Sequence, residues 1–123
     1  MKQLEEFFQR KIRIAQVAPN KFAISFPMYK IEGGVYEIYL VSEAGKFYLS
    51  DEGKTYAELD KIFELKEPDV IKNLVAILKQ YGCRKHPNSN AFIIETTPQD
   101  IHIKYSHLVQ ALSFMLNMKI FYI

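Results

Sequence analysis

Between Ile12 and Ser50, short alternating segments are separated only by tight turn sequences, and that spacing decides the type of sheet the chain can build. Ile12 and Ile14 face one way and Lys11 and Arg13 the other before a break at Pro19-Asn20. Phe22-Ala23-Ile24-Ser25-Phe26 follows as a second strand closed by Pro27, with Met28 to Ile31 continuing after a bend. After the Glu32-Gly33-Gly34 turn, Val35 to Val41 places Tyr36, Ile38 and Leu40 on one face and Glu37, Tyr39 and Val41 on the other. The loop Ser42-Glu43-Ala44-Gly45 returns the chain into Lys46 to Ser50. Parallel pairing would need crossovers of about a dozen residues or more, so these strands predict an antiparallel meander.

Helices frame that sheet. Leu4, Phe7, Phe8 and Ile12 recur at helical spacing, predicting a short amphipathic helix at the start. The Ser50-Asp51-Glu52-Gly53 run reads as a tight turn, and Thr55 with Glu58 as a capping box opening a helix through Tyr56, Leu59, Ile62 and Phe63. Pro68 suits a first helical position with Asp69 near the positive end. Val70, Ile71, Leu74, Val75, Leu78 and Tyr81 form the stripe of that helix, and Gly82 ends it. Arg84 to Asn90 reads as a polar loop and Ala91 to Thr96 as a strand. Thr97, Pro98 and Asp100 have the order of a helix start, although the alternation Ile101-His102-Ile103 suggests a helix beginning near Tyr105 or Ser106. Its apolar face holds Leu108, Val109, Leu112, Met115 and Leu116. The expected fold is therefore one α+β domain over residues 1–123, an antiparallel sheet of about four to six strands with helices packed on one face.

Composition narrows the function classes. A chain of 123 residues with 49% hydrophobic and 24% charged residues suits one folded domain, and a net charge of +2 is too small for a nucleic-acid signature. The N-terminus lacks the apolar run of a signal peptide and no stretch reaches membrane-span length, so a cytoplasmic protein without membrane contact is expected. Cys83 is the only cysteine, which removes an intramolecular disulfide and a thiolate zinc site. The apolar terminus Ile120-Phe121-Tyr122-Ile123 is expected to dock as a strand, the alternatives being burial in a partner or self-association as a homo-oligomer.

Three chemistries are open to these residues. Asp60, Glu64 and Lys66 have the order of a nuclease constellation but fall on a helix and its exit, and Asp51 with Glu37 or Glu95 is the other carboxylate pairing. His102 and His107 lie five apart, off a shared helical face, and His86 is alone in its loop, so no metal site, cofactor or catalytic set is expected and an enzyme is disfavoured. Arg10, Lys11 and Arg13, and again Lys79, Arg84, Lys85 and His86, are candidate phosphate contacts. Tyr48, Asp51, Glu52 and Gly53 are the candidate binding residues at the strand end, with a turn and helix start as the plainer reading.

Tyr48-Leu49-Ser50-Asp51-Glu52-Gly53, the strand Val35 to Val41 before it and Leu108-Val109-Gln110-Ala111-Leu112 resemble the family catalogued as domain of unknown function 1828. With Pro68 to Gly82 between these anchors, the resemblance covers about Pro19 to Asn117. Its members are often encoded by phages and other mobile elements and carry no established activity. The resemblance thus implies a non-enzymatic interaction or regulatory protein that binds a host or phage protein. The alternative is a nucleic-acid-binding or nucleic-acid-processing protein.

Overall fold

The computed structural model describes residues 13–25 and 36–118. The expected N-terminal helix, the segment Met28 to Ile31, the Glu32-Gly33-Gly34 turn, the tail Ile120-Phe121-Tyr122-Ile123 and Arg10 lie outside the described residues.

Six strands form one sheet: β1 (Arg13–Ala18), β2 (Lys21–Ser25), β3 (Ile38–Glu43), β4 (Lys46–Ser50), β5 (Arg84–Lys85) and β6 (Phe92–Thr96). Their order is β1-β2-β3-β4-β6-β5 and every pair is antiparallel, as the short connections require. The β3–β4 turn is tighter than expected. Ala44 at φ 53° and Gly45 at φ 78° make a two-residue connection with both central residues left-handed, so β3 runs on through Glu43.

Register sorts the side chains onto two faces. Phe22, Leu40, Leu49 and Ile94 stand in one cross-strand ladder. That ladder faces three helices, α1 (Lys54–Asp60), α2 (Pro68–Gln80) and α3 (Ile101–Leu116), and the fold is α+β with these helices on one face of the sheet. Leu40, Leu49 and Ile94 join Leu59, Leu74, Leu78, Leu108, Leu112 and Met115 in the core. Burying each such side chain contributes about 1.5–3 kcal/mol, so this layer supplies most of the driving force.

Three details differ from the sequence expectation. The α3 helix begins at Ile101, not near Tyr105, and Asp100 rather than Thr97 is its N-cap residue. Ile101 is 3% exposed and Ile103 45% exposed, so the apparent alternation is one inward and one outward position of the same helix. In α2 the buried set is Val70, Leu74, Ile77 and Leu78, while Ile71 and Val75 point outward. An apolar-rich helix can present two neighbouring stripes, and packing against α3 and β5 selects one. Arg84 and Lys85, expected in a loop, pair with Ile93 and Phe92 as edge strand β5. Other readings hold. Pro68 opens α2 with Asp69 in its first turn, and Gly82 at φ 73° follows its end. The amides of Gly82 and Cys83 donate to the Lys79 and Leu78 carbonyls at 3.2 and 2.8 Å.

Candidate functional site

The strand end at Ser50 is fixed by one buried carboxylate. Asp51 is 2% exposed, and its Oδ1 accepts the amides of Gly53 at 3.0 Å and Phe92 at 2.8 Å while Oδ2 accepts the amide of Thr55 at 3.1 Å. Its own amide donates to the Phe92 carbonyl at 3.3 Å, so Asp51 joins β4, β6 and the first turn of α1. The expected capping box is thereby corrected. Helix α1 starts at Lys54 after Gly53, Thr55 lies buried inside it, and the carboxylate serving the Thr55 amide comes from Asp51, just past the end of β4. The turn forces two left-handed residues in succession, Glu52 at φ 58° and Gly53 at φ 83°. Glycine takes this conformation without cost, whereas Glu52 is held there by the Ser50 hydroxyl, which accepts its amide at 3.0 Å.

With three of its roughly four acceptor positions taken by backbone amides, Asp51 has little left for a metal or substrate. The other carboxylates paired with it in sequence are engaged elsewhere. Glu37 is ion-paired with Lys54, which raises the Lys54 ammonium above its ordinary value through their hydrogen bond. Glu95 lies 3.7 Å from Lys46 and 3.9 Å from Arg84. Among the described residues no group of histidine, cysteine and carboxylate side chains could hold a metal ion.

The sheet face turned away from the helices carries an opening, although Val41, Ser50 and Ile93 on it are buried. Two ladders cross it: Lys21, Val41, Tyr48 and Glu95, and beside it Ala23, Tyr39, Ser50, Ile93 and Arg84. A cleft of about 580 Å³ opens here, lined among others by Lys21, Glu43, Tyr48, Glu52, His86 and Asn90. Its floor is preorganised. Tyr48 donates its hydroxyl to Glu43 Oε2 at 2.9 Å, His86 Nε2 lies 3.5 Å from Glu43 Oε1, and the two rings meet at 5.9 Å. Across the cleft Lys21 pairs with Glu52 at 3.2 Å and sits 5.7 Å from the Tyr39 ring. Burial, the Glu43 hydrogen bond and the charges of Glu43 and Glu52 raise the Tyr48 phenol to about 12, with Arg84 opposing them.

The binding residues expected from sequence therefore separate. Tyr48, Glu52 and Gly53 line this cleft, whereas Asp51 lies behind it and borders a smaller cavity of about 230 Å³ with Glu37, Lys54 and Glu58. The basic residues do not gather either. Arg84 stands on the face turned away from the helices, beside Glu95, while Lys85, one strand position on, is paired with Phe92 of the helix-covered side. The Arg13 side chain lies outside what is described. Lys21 and Glu43 are not singled out by sequence, and His86 only as a phosphate contact beside Arg84, because only strand register and the β5–β6 return bring residues so distant in the chain together.

Among the described residues no helix is long and apolar enough to cross a membrane. Comparison with curated proteins finds no match, and comparison with solved structures finds none. The family described as Domain of unknown function DUF1828 matches residues 26–115, which hold β3 to β6, the Asp51 turn, α1, α2 and all but the last residue of α3. The match begins later than the Pro19 expected from sequence, leaving the β1–β2 hairpin outside it. On this match the chain belongs to the DUF1828 domain family.

Proposed function

We propose that this chain is a non-enzymatic interaction or regulatory protein of a prophage or mobile element, located in the cytoplasm, and that it binds a host or phage protein through the cleft on the sheet face turned away from the helices. The observation that carries this reading is the makeup of that face. Tyr39 and Tyr48 are half-buried on it, between charges of both signs and over a rigid hydrogen-bonded floor. Aromatic contact area with fixed polar partners is what protein recognition uses.

The chemistry of the cleft also supports recognition over catalysis. His86 Nδ1 accepts the Asn88 amide at 3.1 Å, which leaves the proton of the neutral ring on Nε2, facing Glu43. Both ring nitrogens are thus engaged, and no lone pair is left to take a substrate proton. Tyr48 holds its phenolic proton to about pH 12, and burial raises the Cys83 thiol to about 12, so neither is a ready nucleophile at neutral pH. For nucleic acid, the cations of this face already have carboxylate partners: Lys21 has Glu52, and Lys46 and Arg84 share Glu95. A phosphate would have to displace a carboxylate at each.

The test is a tagged recovery from the native host with nuclease treatment, comparing the wild type with Lys46→Glu/Arg84→Glu and with Ile71→Ser on the outward side of α2. A stoichiometric protein that survives nuclease, is lost from the double variant and is kept by Ile71→Ser is expected. Nucleic acid that elutes as salt rises would overturn the reading in favour of the nucleic-acid alternative.

A further inference from the structure

Building on the interaction reading, we propose that the cleft receives an arginine side chain of the partner protein, its guanidinium on Glu43 and its plane against the Tyr48 ring. The argument begins with charge. Glu43 and Glu52 both border the cleft, with Lys21 as the opposing ammonium, and Lys21 is already 3.2 Å from Glu52. Glu43 meets the Tyr48 hydroxyl at 2.9 Å and His86 Nε2 at 3.5 Å there. The cleft is therefore locally negative on a chain of net charge +2, and its complement is a cation. The Tyr48 phenol reports the same potential, since the nearby Glu43 and Glu52 charges both raise it against Arg84.

Geometry selects the kind of cation. A carboxylate offers about four acceptor positions, and Tyr48 and His86 occupy two, one on each oxygen. Glu43 remains 57% exposed, so the remaining positions face solvent on a group already held in place. A planar guanidinium can donate to both oxygens at once and stack on a tyrosine, which a lysine ammonium cannot do. Preorganisation of Glu43 by two neighbours lowers the entropy lost on pairing. An anionic side chain would instead meet two carboxylates.

The test is a nuclear magnetic resonance titration of the full chain with a blocked peptide bearing a single arginine, beside the same peptide with lysine or with the neutral isostere citrulline. Saturable shifts at the amides of Ser50, Glu52 and Ala91 are expected with arginine, weaker ones with lysine and none with citrulline. Glu43→Gln should weaken arginine binding by at least about tenfold, as loss of one partner of a charged pair does. Because Glu43 is largely exposed, that variant should keep its remaining spectrum, and Glu43→Lys provides the same reading by charge reversal. Equal binding of the citrulline peptide, unchanged affinity in both variants, shifts confined elsewhere or no shift at all would overturn the assignment. If a host protein is recovered equally by the wild type and Glu43→Gln, the interaction reading stands and the arginine assignment falls.

Discussion

Replacing Asp51 tests the physical centre of this fold. Its carboxylate accepts three backbone amides, from Gly53, Thr55 and Phe92, in a site 2% exposed. In Asp51→Asn the side-chain carbonyl can keep the Gly53 and Phe92 donors, but the new amide nitrogen faces the Thr55 amide, donor against donor. One buried amide then loses its acceptor, which costs about 1–3 kcal/mol, and the two retained bonds lose the strengthening that a charged acceptor gives. The expected loss is about 2–4 kcal/mol. Asp51→Ala strands all three donors and should cost about 3–6 kcal/mol, a large part of the ~5–15 kcal/mol that holds a domain together. Urea unfolding followed by circular dichroism measures both, with the midpoint falling and the slope unchanged if the transition stays two-state. A loss below about 1 kcal/mol for Asp51→Ala would refute the view that this carboxylate joins β4, β6 and α1.

Gly53→Val should destabilise by about 1–2 kcal/mol, because a β-branched residue is forced into the left-handed region at φ 83°, and an unchanged melting temperature would contradict this. A Cβ there would meet Asn90 only at ordinary contact distance, so the cost is conformational and Gly53→Asn should recover part of it. For Tyr48 the folded phenol titrates near 12 against 10.0 for the free group, so its contribution to stability is complete below about pH 10 and is lost as pH rises toward 12. Unfolding measured across that range should show a decline that Tyr48→Phe lacks; identical profiles would contradict the placement of the hydroxyl against Glu43. Cys83, buried at 6% exposure with its thiol raised to about 12, should react with a disulfide reagent at neutral pH only as fast as the protein opens. Immediate stoichiometric labelling would contradict its burial.

The antiparallel sheet, its helix layer and the caps around α2 were legible because each follows from local rules: two-residue alternation, short turns, proline at a helix start, glycine at its end. Helix α3 was misjudged at its start for the same reason the rules work elsewhere, since Ile101 and Ile103 satisfy a strand period over three residues and only packing shows which of them is inside. At the Asp51 turn, sequence found the right residues and assigned the wrong cap. Thr55 and Glu58 match the spacing of a capping box, yet the Asp51 carboxylate takes the Thr55 amide. The cleft lay beyond local rules altogether. Glu43 belongs to β3, Tyr48 to β4 and His86 follows β5, and their meeting depends on register between strands far apart in the chain.

Hydrogen exchange on the protein purified together with its host partner, against the free chain, tests the interaction account most directly. The account predicts slowed exchange along the β3–β4 hairpin and the 86–91 return, the segments that frame the cleft, with α2 and α3 unchanged. Slowing confined to α2 and α3, or a purified complex that contains nucleic acid and no second protein, would contradict it.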